Sequence, residues 1–159
     1  VIPVVEKDLR ILPLCLQGVR RNVAHNIKNI YIVSPDNVAI RDFCNKNELV
    51  FVEGSSVLGY KPRKQNLITD DGLDRSGWLY QQFLKLSGNV GTCRYCLCID
   101  ADHILIRPHV FLTDDKKTVF YMSYEEHLPY YEMNHRLFPS MELASLSYVS
   151  HKMLLQVAG

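Results

Sequence analysis

The segment Arg94-Tyr95-Cys96-Leu97-Cys98-Ile99-Asp100-Ala101-Asp102 constrains this chain more than any other. It is a short apolar run, rich in β-formers, that ends in two aspartates one residue apart, and it reads as a buried strand. Strand alternation places Asp100 and Asp102 on one side, with Ala101 pointing away. In an open α/β sheet the carboxyl ends of strands face the ligand crevice. Two carboxylates there repel one another and are costly to desolvate unless a cation joins them. The pattern therefore points to a hard divalent ion, Mg²⁺ or Mn²⁺, shared with substrate phosphates. The plainer reading, a strand end carrying two solvated acids, stands beside it, because Asp-x-Asp is common.

The bulk properties narrow the class. The chain has 159 residues, enough for one domain with one core. A net charge of +1 gives no electrostatic case for nucleic acid. No apolar run approaches the length of a membrane span. The five cysteines, Cys15, Cys44, Cys93, Cys96 and Cys98, are odd in number and irregular in spacing, which argues against a disulfide framework. Cys93-x-x-Cys96 has the spacing of half a zinc site, but no second pair completes it. Free thiols fit a reducing compartment, and a cytoplasmic location is expected. The chain opens on Val1 and stops within the apolar run Met153 to Ala158, so a piece of a longer protein, lacking its C-terminal part, is expected.

Strands and helices alternate along the first half. Val1 to Val5 reads as a strand, with Pro3 at an edge or ligand-facing position. Asp8 can cap a following helix in which Leu9, Leu12, Leu16 and Val19 share a face, with Pro13 in its first turn or at a kink. Asn29 to Val33 and Leu49 to Val52 read as strands, separated by a helix over Val38 to Lys46. Strand-helix-strand-helix-strand is the pattern of a parallel sheet. Gly54 to Thr69 reads as a long polar loop bearing Tyr60, Lys61, Arg63 and Lys64. Asp74 to Ser87 reads as a helix ended by Gly88. Its core stripe is Leu79, Phe83 and Leu86, and its cleft stripe is Trp78 and Gln82. Ile104 to Ile106 continues extended until Arg107-Pro108. Thr118 to Ser123 and Ala144 to Val149 read as strands, Glu125 to Pro139 as irregular, and His151 onward as helical.

Three pieces stand in order: Gly77-Trp78-Leu79-Tyr80-Gln81-Gln82-Phe83-Leu84-Lys85-Leu86, then Ile99 to Pro108 with its acidic pair, then Ser147-Tyr148-Val149-Ser150-His151-Lys152-Met153. This ordering resembles the nucleotide-sugar glycosyltransferases of the GT-A fold. It is most similar to an uncharacterised group in which Trp-x-x-Gln-Gln-x-x-Lys precedes an Asp-Ala-Asp strand and Ser-x-Val-x-His-x-Met follows. It is more distantly similar to glycogenin-like transferases. The resemblance spans Val1 to about Leu155.

The resemblance implies a three-layer α/β/α, Rossmann-like domain with a mostly parallel sheet. It implies transfer of a sugar from a nucleotide-diphosphate donor to an unknown acceptor, with Mn²⁺ or Mg²⁺ as cofactor. Asp100 and Asp102 match the metal and diphosphate motif. Pro3, Val4, Lys7 and Asp8 match the strand and loop that meet the nucleobase and ribose. Arg75, Trp78 and Gln82 match the helix bordering the donor sugar. His127 and Tyr130 lie where acceptor-side loops sit, and His151 matches the later histidine. No catalytic base stands out, since Asp70, Asp71, Glu125, Glu126 and Glu142 all qualify. Two other functions stay open. One is a phosphohydrolase of the haloacid-dehalogenase type, in which Asp-x-Asp supplies a nucleophile and a general acid. The other is a non-catalytic nucleotide-sugar-binding domain of the same fold.

Overall fold

The computed structural model describes residues 1–59, 72–140, 142 and 150–157. The readings placed on Tyr60, Lys61, Arg63, Lys64, Asp70 and Asp71, and on the strand from Ala144 to Val149, lie outside the described residues.

The chain is a mixed α/β protein. A parallel sheet of three short strands, β1 (Ile2–Pro3), β2 (Tyr31–Ser34) and β3 (Val50–Glu53), has the spatial order β1-β2-β3. Ile2 stands opposite Ile32, and Tyr31 opposite Val50. Helix α1 (Leu12–Asn22) joins β1 to β2, and α2 (Val38–Lys46) joins β2 to β3. Pro13 sits in the first turn of α1, where its missing N–H costs nothing. That helix buries Leu12, Leu16 and Val19 of the expected face, with Cys15 beside them, while Leu9 falls outside it, in the turn that precedes the helix. A short 3₁₀ turn over Glu6–Arg10 precedes it, and Asp8 Oδ2 accepts from Val5 N at 2.9 Å. Asn37 caps α2, its Oδ1 accepting from Ile40 N at 3.0 Å.

The second half departs from the expectations at five places. Gly54 to Leu58 is a helical turn, α3, rather than the start of a loop. In α4 (Ser76–Leu86) the inward face is Ser76, Tyr80 and Leu84, and Phe83 and Leu86 are exposed. The helix is apolar on several sides, so spacing alone does not select the buried one. Gly88, at φ +66°, lies just beyond its end. Leu128–Leu137 is a helix, α5, with Pro129 in its first turn, where a Tyr- and His-rich segment reads as irregular. Thr118 makes one bridge to Leu112 in place of a strand. Lys152–Gln156 is a strand, β5, not a helix, because it pairs antiparallel with β4 (Tyr95–Ile99) over its whole length. Among the described residues no helix is long and apolar enough to cross a membrane.

Two hydrogen bonds tie the sheets together. Val1 N donates to Leu97 O at 2.7 Å, and Ile99 N donates to Val1 O at 3.1 Å. One residue bonded to the two neighbours of its opposite number is the pattern of a parallel ladder. β4 therefore runs alongside β1, on the side away from β2. The main core fills the space beneath, with Ile2, Leu12, Ile32, Ile99, Leu105 and Phe111 almost wholly buried. A smaller cluster of Val33, Val57, Leu84 and Val90 seats α4.

Candidate functional site at the end of the fourth strand

Strand β4 ends at Ile99, and the chain turns at once. His103 N donates to Asp100 O at 3.0 Å, closing a four-residue turn with Asp100 first, a position Asp favours. Alternation therefore stops at Ile99. Asp100 is half-buried, Ala101 is buried and Asp102 is exposed. The pairing of the two acids through strand alternation does not hold; a turn, not a pleat, relates them. The turn is anchored from two sides. Asp100 N donates to His151 O at 3.0 Å, and the Cys15 thiol of α1 donates to Asp100 O at 3.6 Å.

The Asp100 carboxylate is the centre of a polar cluster. Lys85 Nζ lies 2.5 Å from Oδ1, and Gln81 Nε2 lies 3.4 Å from the same oxygen. Those two residues are one turn apart on α4, so a single helix face delivers both. His151 Nδ1 lies 3.2 Å from Oδ2, and its Nε2 lies 3.3 Å from Glu125 Oε2. The imidazole ring therefore bridges the carboxylates of Asp100 and Glu125, one through each nitrogen. His103 stacks on His151, with ring centroids 5.9 Å apart and planes 19° apart. Burial, then the charges of Lys152 and His151, hold His103 below the usual histidine range.

The other expected site residues divide. Pro3 and Val4 are buried, so only their main chain remains for a ligand, and Val4 N already donates to Val33 O at 2.9 Å. Lys7 is exposed and Asp8 half-buried in the 3₁₀ turn after β1. Arg75, just before α4, and Trp78, in its first turn, are exposed, and Gln82 is half-buried. His127 and Tyr130 pack edge to face on one another at 4.6 Å, at the start of α5. Glu126 and Glu142 are exposed.

Lys85, Gln81 and Glu125 are the members of the cluster to which sequence patterning assigns no role at Asp100. Lys85 and Gln81 are legible in principle, because both stand four residues apart within the Trp78 to Lys85 motif. Glu125 reaches His151 only through the tertiary fold.

Asp100 and Asp102 offer hard oxygens, and His151 a borderline nitrogen. This donor set suits Mn²⁺ or Mg²⁺. Among the described residues no group of three His, Cys, Asp or Glu side chains converges on one point. A cation held there would need its remaining ligands from substrate and water.

A cavity of about 340 Å³ runs along β4, lined by Val1, Tyr31, Arg94, Tyr95, Leu97 and Ile99 among others.

Comparison with protein-family models, with curated proteins and with solved structures finds no match to this chain.

Proposed function

We propose that this chain is a GT-A-like domain that transfers a sugar from a nucleotide-diphosphate donor, with Mn²⁺ or Mg²⁺ bound through Asp100 and Asp102. One observation carries the reading: Asp100 leaves β4 at the place where the strand order reverses. From β1 the chain progresses outward through β2 to β3, whereas β4 bonds to Val1 on the opposite side. A crevice opens at such a switch point, outside the carboxyl ends of the strands. Val4, Lys7 and Asp8 follow β1 there, and Asp100 follows β4.

The cluster suits a diphosphate donor chemically. When bound, the divalent ion supplies charge neutralisation to the departing diphosphate. Lys85 brings a second cation to the same carboxylate, already held by its ion pair. Gln81 fixes the orientation of Oδ1. His151 and Glu125 are the proton-holding groups that reach this corner, and Glu125 is the candidate base that the fold links to Asp100, through the His151 ring. The exposed Trp78 offers an apolar face for a sugar or base.

The test is release of nucleoside diphosphate from a panel of nucleotide sugars in the presence of Mn²⁺. Release should occur with one or a few donors, should stop on addition of a chelator, and should fall at least about a hundredfold in Asp102→Asn, the scale of losing one transition-state charge contact. Chelator-insensitive release that survives Asp102→Asn would sink the proposal.

A further inference from the structure

Cys96 and Cys98 stand one residue apart on β4, and alternation turns both thiols to one side of the strand. Their sulfurs lie 3.9 Å apart. Cys98 is buried and Cys96 half-buried, and both are free thiols. The Cys98 thiol donates at 3.2 Å to Lys85 O, in the last turn of α4, so the pair lies on the α4 side of the sheet. In the ladder with β5, Cys98 stands opposite Met153 and Cys96 opposite Leu155. Register partners share a face, with Cβ atoms about 4.5–5.5 Å apart. The half-buried Met153 thioether therefore stems from the same face as the two thiols.

Two thiols so placed can close a disulfide or share a metal ion. The strand disfavours the first. Residues two apart on an extended strand have Cα atoms about 6.6–6.8 Å apart, at the far end of the disulfide range. Both cysteines are also held in the ladder with β5, so drawing them together distorts that pairing. A shared ion needs no such movement. At the usual metal–thiolate distance of about 2.3 Å, sulfurs 3.9 Å apart subtend about 115° at the metal, between the tetrahedral and trigonal angles. Zinc would need further nitrogen, oxygen or thiolate ligands, and among the described residues no group of three His, Cys, Asp or Glu side chains forms. Copper(I) accepts fewer and softer donors, and thiolates with a thioether are the set that selects it. The hard oxygens of Asp100 and Asp102, just past the end of the same strand, suit a different class of ion.

We propose that Cys96 and Cys98, with Met153 as third ligand, form a copper(I) site. Two thiol protons leave as the ion enters, and the copper keeps its oxidation state. The ion fastens β4 to β5 just before the turn at Asp100. This site stands whether or not the chain transfers sugars.

The experiment titrates the whole reduced chain with copper(I), under ascorbate and without oxygen, against a chromophoric copper(I) chelator. One equivalent should be retained by the parent chain and by Cys93→Ser, which removes the exposed thiol. Retention should weaken by about a hundredfold or more in Cys96→Ser and in Cys98→Ser, since losing a ligand costs more than losing a partner behind it. Met153→Leu should weaken it less and should lose one sulfur from the copper X-ray absorption shell. Zinc(II), offered against a zinc chelator of matched strength, should not be retained. Melting of the metal-free variants controls for folding. If Cys98→Ser does not fold, Cys96→Ser, at the half-buried position, decides. No retained equivalent in the parent chain, retention that survives Cys96→Ser, or retention lost in Cys93→Ser overturns the proposal. Equal retention of zinc(II) overturns the choice of copper(I), and an unchanged sulfur shell in Met153→Leu overturns Met153 as a ligand.

Discussion

Lys85 Nζ lies 2.5 Å from Asp100 Oδ1, and the two side chains are only 12% and 15% exposed. This is the most shielded of the ion pairs described. It ties the last turn of α4 to the exit of β4, so the helix and the site stand or fall together. Removing one partner leaves a carboxylate largely cut off from water. Lys85→Met should therefore destabilise the chain by about 1–3 kcal/mol, below the range for fully buried pairs because some water reaches Asp100. Lys85→Met/Asp100→Asn should recover part of that loss. Urea unfolding of the two variants measures both effects. A neutral or stabilising Lys85→Met would mean that the pair contributes nothing to α4 docking.

Gly18 explains how α1 comes close enough to hold the site. A Cβ at Gly18 would lie 2.9 Å from both N and O of Leu105, which are main-chain atoms with little room to give. Gly18→Ala should cost stability, by about 2 kcal/mol or more, although alanine favours a helix over glycine. Gly77, in the first turn of α4, meets nothing within 4 Å, so Gly77→Ala should instead gain up to about 1 kcal/mol. Thermal unfolding of the pair tests the contrast. If both substitutions shift stability the same way, the close approach of α1 to Leu105 is not as described.

Local patterning accounts for the first half of the fold better than for the second. The α1 face of Leu12, Leu16 and Val19 follows from apolar spacing, and the expected bounds Val38 to Lys46 of α2 are those observed. A helical reading of Met153-Leu154-Leu155 fails because a short apolar run has no period of its own. Pairing with β4 decides its state. The inward face of α4 escapes a reading by spacing because Leu79, Phe83 and Leu86 form as good a stripe as Tyr80 and Leu84. Contact with the Val33 and Val57 cluster decides between them. Asp100 is recognisable where an apolar strand ends in an acid. Its side-chain partners among the described residues are not, because Lys85, Gln81 and His151 meet it across 15, 19 and 51 residues.

Cys15 makes the fold sensitive to alkali. Burial, followed by the negative charges of Asp102 and Asp100, pushes its thiol from 9.0 up to about 11. Below pH 9.0 both the folded and unfolded chains keep the proton, and the thiol contributes nothing to pH dependence. Between pH 9.0 and about 11 the unfolded chain ionises first, so stability falls as pH rises. The loss reaches about 2–3 kcal/mol at the top of that window. Burial pushes the Cys44 thiol in the same direction. In metal-free buffer, Cys15→Ala should start less stable and lose less across the window from pH 9.0 to about 11. Parallel pH profiles for the two chains would show that the Cys15 proton does not respond to folding.

The central claim is that Asp100 and Asp102 bind a divalent cation together with a nucleotide-diphosphate sugar. It is tested most directly by the melting temperature of the chain against a panel of nucleotide sugars, with Mn²⁺ and with chelator. A ligand that binds only the folded chain, at about a hundred times its dissociation constant, adds about 2.7 kcal/mol. For a chain of this length that is a rise of roughly 5–10 °C. The account predicts such a rise for one or a few nucleotide sugars with Mn²⁺, little with Mn²⁺ or sugar nucleotide alone, and none in Asp102→Asn. No rise with any donor, or a rise that chelator and Asp102→Asn leave intact, would contradict it.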